Sequence, residues 1–191
     1  MKKVCVFCGS STGYNGNYGK LARKLAEELV VAGCELVYGG GSVGLMGILA
    51  DEVLLRGGKV TGVIPGFLHK LEVGHHGLSE LIITESMHER KQTMAALSDG
   101  FIAMPGGIGT LEELFEIFTW SQLDLVKHPV AILNTEGYYD ALITFLDKVV
   151  AEGFLKQQTR NALLVESDPA KLLKLMRIFK TDSQDDWQDK V

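Results

Sequence analysis

The sequence predicts an α/β protein, a doubly wound and mostly parallel sheet with helices on both faces. Two observations carry that expectation. Short apolar runs rich in Val, Ile and Leu alternate with longer stretches of helical apolar spacing along nearly the whole chain. Glycine clusters stand at Gly39-Gly40-Gly41 and Gly106-Gly107, each directly after an apolar run and before a helical one. Such alternation implies βαβ units with right-handed crossovers, which make neighbouring strands parallel and cover the sheet on both sides. Ligands in such sheets bind beyond the carboxyl ends of the strands, near the point where strand order reverses. No internal repeat or linker interrupts the pattern. Residues 1–180 are therefore expected to form one domain, followed by a polar tail over 181–191.

Taken in order, Lys3 to Phe7 is apolar and β-rich and reads as the first strand, with a loop over Cys8 to Gly13. Tyr18 to Val31 carries Leu21, Ala22, Leu25 and Leu29 at helical spacing, and Gly33 is placed to stop that helix. Glu35 to Tyr38 is the second strand, and the glycines to Gly44 open a helix that runs to Leu55 and ends at Gly57-Gly58. Lys59 to Ile64 is the third strand, closed by Pro65-Gly66. Phe67 to Gly77, with His69, His75 and His76, shows no period and is expected to be irregular, a lid or a subunit contact. Leu81 to Ile83, Phe101 to Met104, Val130 to Leu133 and Leu163 to Val165 supply the remaining strands. Met87 to Leu97, Leu114 to Leu123 and Tyr138 to Ala151 read as helices, the last closed by Gly153. Asp168-Pro169, an N-cap followed by proline at N1, starts a final helix to Phe179.

At 191 residues the chain is long enough for one good core. A net charge of −5 argues against general binding to nucleic acid or to a membrane surface, and no apolar run is long enough to span a bilayer. Met1-Lys2-Lys3 and the apolar run after it faintly resemble a signal peptide, but the run breaks at Gly9 and reads better as a strand, so the expected location is the cytoplasm. Cys5, Cys8 and Cys34 are too few and odd in number for a disulfide framework. Cys5-x-x-Cys8 matches a redox spacing, yet a strand points those two side chains to opposite faces, so core packing is the expected role. The histidines lack metal-site spacing, and no metal is expected.

The most informative stretch is Pro105-Gly106-Gly107-Ile108-Gly109-Thr110-Leu111-Glu112-Glu113. Three glycines bare the backbone between a strand and a helix, so that successive N–H groups and the positive end of the helix can face an anion. A carboxylate just inside the helix, Glu113, suggests chemistry on a phosphorylated substrate. Thr110-x-x-Glu113 also fits a capping box, with Thr110 as N-cap, which is a purely structural alternative. Gly39-x-Gly41-x-x-Gly44 matches the dinucleotide fingerprint, but it follows the second strand and lacks the ribose-binding acid, so a nucleoside monophosphate is expected rather than NAD. Met87-His88-Glu89-Arg90-Lys91 places two cations early in a helix, against the dipole. That is either a solvated basic patch or the partner of a phosphate or carboxylate.

Met87-His88-x-Arg90-Lys91 followed by Pro105-Gly106-Gly107-x-Gly109-Thr110-x-x-Glu113 resembles the paired signatures of the LONELY GUY family of cytokinin riboside 5′-monophosphate phosphoribohydrolases, some of which have been labelled possible lysine decarboxylases. The likeness extends over Val6 to Ser11, Val37 to Gly41 and Thr119 to Leu123. It implies a Rossmann-like fold over residues 1–180, a homodimer, and hydrolysis of the N-glycosidic bond of a cytokinin riboside 5′-monophosphate or AMP to free base and ribose 5-phosphate, with no cofactor. Arg90 and Glu113 are implied as the catalytic pair. The implied substrate contacts are Gly9, Ser10, Gly41, Glu72, Met87, Lys91, Gly106, Gly107, Ile108, Gly109, Thr110, Leu111, Glu112 and Thr119. The region from Phe67 to Ile83 departs from the plant-like pattern around Glu72.

Elementary chemistry gives each part a task. Breaking a C–N ribosyl bond builds positive charge on the sugar, which a carboxylate at Glu113 can stabilise while it orients or deprotonates water. Arg90 can clamp the phosphate or fix Glu113. A nucleotide-binding module without catalysis would need the glycine loops but not the Arg90–Glu113 pair. A lysine decarboxylase would need a Schiff-base lysine for pyridoxal phosphate, and none stands out.

Overall fold

The computed structural model describes residues 1–71 and 74–179. Its strands are β1 (Lys3–Phe7), β2 (Glu35–Tyr38), β3 (Val60–Pro65), β4 (Glu80–Thr84), β5 (Phe101–Ala103), β6 (Val130–Leu133) and β7 (Leu163–Glu166). Between and after them run α1 (Asn17–Val31), α2 (Gly44–Leu55), α3 (Gly66–Leu71), α4 (Met87–Leu97), α5 (Ile108–Gln122), α6 (Asp140–Ala151), α7 (Gln157–Ala162) and α8 (Pro169–Ile178). The strands form one sheet in the order β4-β3-β2-β1-β5-β6-β7, and every pairing is parallel. The chain winds outward from β1 to β4, returns to the middle, and winds the other way from β5. Strand order therefore reverses between β1 and β5, and the doubly wound expectation holds.

Period-two alternation divides β1 between two cores. Val4 and Val6 face the layer of α1, α2 and α8, with Leu25, Leu49 and Leu172, while Cys5 and Phe7 face the layer of α4, α5 and α6, with Met94, Leu114 and Leu146. Cys5 and Cys8 accordingly lie in opposite cores, and all three cysteines are free and buried. Helix α1 stops where expected: Gly33 takes φ 67°, its N–H donates to Val30 O and that of Cys34 to Leu29 O, a Schellman closure. Asp168 caps α8 by accepting from Lys171 N–H, with Pro169 behind it.

Three local readings need correction. Helix α5 begins at Ile108 with Gly107 as N-cap, so Thr110 lies inside the first turn and does not cap. The Phe67–Gly77 segment is not irregular throughout, because α3 runs on to Leu71 and Gly41 pairs with Gly74 in an isolated antiparallel bridge. The short α7 and a 3-10 turn over Thr135–Gly137 were not anticipated. Glu72 and the 181–191 tail lie outside the described residues. No helix among the described residues is long and apolar enough to cross a membrane.

Candidate active site

Helix α4 delivers the cations. Ser86 caps it by accepting from Glu89 N–H at 3.1 Å, and the Glu89 carboxylate accepts from Glu85 N–H at 2.8 Å. Arg90, one turn in, is thereby aimed across the carboxyl ends of β2 and β3. Its Nε donates to Val63 O at 3.1 Å, and Nη1 lies 3.8 Å from the Met87 sulfur. Nη2 reaches Glu113 Oε1 at 3.3 Å, and both side chains are only 11% exposed. The guanidinium lies so closely over Gly39 that a β-carbon there would collide with Nη2. Gly39 is thus required by Arg90, not by a turn, a need no local sequence signal reveals.

Glu113 sits on the second turn of α5, with its face toward β1 and β5. Burial pushes its carboxyl above the usual range, Arg90 opposes that rise, and the neighbouring Glu112 adds to it. The result is a carboxylate with raised proton affinity, held in place by a cation. Lys91 meets a different fate. Its ammonium hydrogen-bonds Glu112 at 2.6 Å and Glu116 at 2.9 Å, tying α4 to α5. Burial alone would lower its pKa, but those two carboxylates leave it above the ordinary value. The two cations placed against the helix dipole are therefore held by acids of the neighbouring helix.

The glycine loops converge as expected, though not by left-handed backbone at the β5 loop. Positive φ occurs at Gly40 and Gly44, not at Gly106, Gly107 or Gly109. Gly9 N–H donates to Pro105 O at 3.1 Å, and Gly9 O accepts from Leu45 N–H at 3.0 Å. A β-carbon at Gly106 would collide with Thr110 Oγ1 and come within 2.8 Å of Gly9 N, and one at Gly44 would strike the Ser10 backbone. Gly9, Gly44 and Gly106 let three loops touch backbone to backbone. At Gly107 and Gly109 a β-carbon would meet nothing within 4 Å, so the start of α5 is open above those residues. That open N-terminus, with its unpaired N–H groups and positive dipole end, has the chemistry of an anion seat.

The remaining expected residues fall as follows. Ser10 and Ile108 are exposed at the rim, Thr110 is buried under Gly106, and Leu111 packs into the α4–α5–α6 core. Gly41 is buried in its bridge to Gly74. Thr119 is exposed three turns down α5, roughly 18 Å from its start, where its hydroxyl donates to Phe115 O. One chain does not bring Thr119 to the site. A cleft of about 290 Å³ beside the glycine loop is lined by Ser10, Ser11, Tyr18, Leu45, Gly107 and Tyr138. Tyr138, unsuspected from sequence, donates to Gly106 O at 2.6 Å. Among the described residues no group of His, Cys, Asp or Glu is arranged to hold a metal ion.

An all-parallel open sheet with glycine loops and a buried Arg–Glu pair beside its switch point defines a Rossmann-like α/β protein. A family model described as "Possible lysine decarboxylase" matches residues 46–176, and the chain belongs to that family. It is 48% identical over 183 residues, 96% of this chain and 82% of the relative, to "Probable cytokinin riboside 5'-monophosphate phosphoribohydrolase LOGL1" of Oryza sativa subsp. japonica. It is 43% identical to "Cytokinin riboside 5'-monophosphate phosphoribohydrolase LOG2" of Arabidopsis thaliana, covering 100% of this chain and 89% of that one. Among solved structures, a molybdenum cofactor binding protein from Rippkaea orientalis superposes with a TM-score of 0.69 at 20% identity, over 93% of this chain and 96% of that one, a likeness of fold alone.

Proposed function

We propose that the protein hydrolyses the N-glycosidic bond of cytokinin riboside 5′-monophosphates, releasing the free base and ribose 5-phosphate. The observation that carries this is the buried Arg90–Glu113 pair beside the open, glycine-lined start of α5, in a chain 43% identical to a phosphoribohydrolase. The 5′-phosphate rests on the N–H groups at Gly107 to Thr110, which places the ribose over Glu113. As the C1′–N bond breaks, its electron pair leaves with the base and positive charge grows on the sugar. Ionised Glu113 stabilises that charge and takes a proton from the water whose oxygen bonds to C1′; that proton passes on to the departing base through solvent, which leaves Glu113 ionised again. Arg90 keeps Glu113 oriented and ionised. AMP is accepted as a simpler substrate of the same class. Residues 1–180 act as one catalytic domain, in the cytoplasm and as a homodimer.

Lysine decarboxylation is disfavoured by Lys91. A Schiff-base lysine needs a lowered pKa, whereas Glu112 and Glu116 hold this ammonium protonated. The decisive test is incubation with N6-isopentenyl-AMP and detection of the free base. The wild type is expected to release it and Glu113→Gln to do so about 10²–10⁴-fold more slowly. Wild-type rates in Glu113→Gln would overturn the assignment.

A further inference from the structure

Two adjacent tyrosines from the β6–α6 connection bind carbonyls of the β5–α5 connection. Tyr139, buried, donates to Met104 O at 2.6 Å, and Tyr138 donates to Gly106 O at 2.6 Å. The Tyr138 ring is held edge-on by Tyr18, with centroids 5.6 Å apart at 81°, and by Tyr139, at 4.8 Å and 90°. The Gly106 carbonyl belongs to the same planar peptide as the Gly107 N–H, and in a trans peptide the two point in opposite directions. Fixing one fixes the other. The next peptide is held separately, because Gly107 O accepts from Leu111 N–H in the first turn of α5. With glycine on both sides, rotation of the Gly106–Gly107 peptide meets no β-carbon and is otherwise cheap.

We propose that Tyr138 is a positioning residue that locks the Gly106–Gly107 peptide, so that the Gly107 N–H is presented to the 5′-phosphate. The proposal rests on the anion seat described under the proposed function. It predicts that the hydroxyl matters to phosphate-bearing ligands and little to the reacting centre, since Tyr138 is engaged with Gly106, Tyr18 and Tyr139 rather than with Arg90 or Glu113. The cleft beside it is lined by Tyr138 and Gly107 together.

The test is Tyr138→Phe, which keeps the ring and its two edge contacts and removes only the donor. Ribose 5-phosphate binding by calorimetry is expected to weaken about fivefold or more. For AMP, KM should rise by a similar factor while kcat changes less, and the ratio of AMP to adenosine specificity constants should fall in step. Unchanged ribose 5-phosphate affinity in a folded Tyr138→Phe protein would overturn the proposal, as would equal losses for AMP and adenosine. If the wild type releases no base from N6-isopentenyl-AMP or from AMP, the hydrolase reading fails, and the ribose 5-phosphate titration still decides the role of Tyr138. Should Tyr138→Phe not fold, Tyr18→Leu, which loosens the ring but spares the hydroxyl, is expected to weaken ribose 5-phosphate binding in the same direction. No change there would count against the lock.

Discussion

Substituting Gly39 by alanine tests the Arg90–Glu113 pair without altering either residue. The new methyl collides with Arg90 Nη2. That atom is the end of a flexible side chain, so the arginine moves and the fold stays. Restoring ordinary nonbonded contact needs roughly an ångström of movement. The contact with Glu113 is already 3.3 Å, and the Nε bond to Val63 O is 3.1 Å. A shift of that size breaks the first and weakens the second. A close charge pair couples by about 1.5 kcal/mol or more, so kcat/KM should fall about 10-fold or more. The acid limb of the pH profile should also move. Burial raises the Glu113 pKa and Arg90 restrains that rise, so moving Arg90 away lifts the pKa further. Activity that needs ionised Glu113 is gained as pH rises through that pKa, so the limb moves to higher pH in Gly39→Ala. Steady-state kinetics on a nucleoside 5′-monophosphate from pH 5 to 9, with a melting curve as control, reads both effects. Wild-type kcat/KM and an unmoved limb in Gly39→Ala would refute the reasoning.

The two glycines at the start of α5 should separate stability from binding. Gly106→Ala forces a β-carbon against Thr110 and Gly9 and should cost about 1–3 kcal/mol of stability, read as a lower Tm. Gly107→Val meets open space at φ −91° and should melt near the wild type while losing phosphate affinity; the reverse pattern would contradict the geometry. Leu123 and Leu125, 42% and 69% exposed just beyond α5, suit the proposed dimer contact, and sedimentation at micromolar concentration should give a dimer. A stable, active monomer would remove that part of the proposal.

Much of the fold was legible because its signals are local. The bounds of β1, β2, β6 and α4 match the periodicity reading, and the Schellman glycine of α1 and the Asp168-Pro169 cap are where chemistry requires them. The start of α5 was missed for a physical reason. Two glycines around Ile108 disfavour helix, yet Thr110, 4% exposed, packs beneath Gly106 and fixes the first turn through tertiary contact. Helix α3, with six residues, is too short for a period to show. At the site, the family signatures named Arg90 and Glu113, and the structure brings them together from adjacent helices. Gly39 and Tyr138 carry no local signal, since the need for each arises from a residue on a different element. The ties of Lys91 to Glu112 and Glu116 carry no local signal either, because both acids stand on α5.

The central claim is that the glycine-lined start of α5 seats the 5′-phosphate and so places the ribose beside Glu113. AMP and adenosine share the scissile bond and differ only in that phosphate. Two or three charge-assisted contacts of about 1.5–3 kcal/mol each should favour AMP by at least ~100-fold in kcat/KM, even after losses to ordering. Measuring both specificity constants on the wild-type protein under one set of conditions is the most direct test. A ratio of that size is the predicted result, and equal constants for AMP and adenosine would contradict the account.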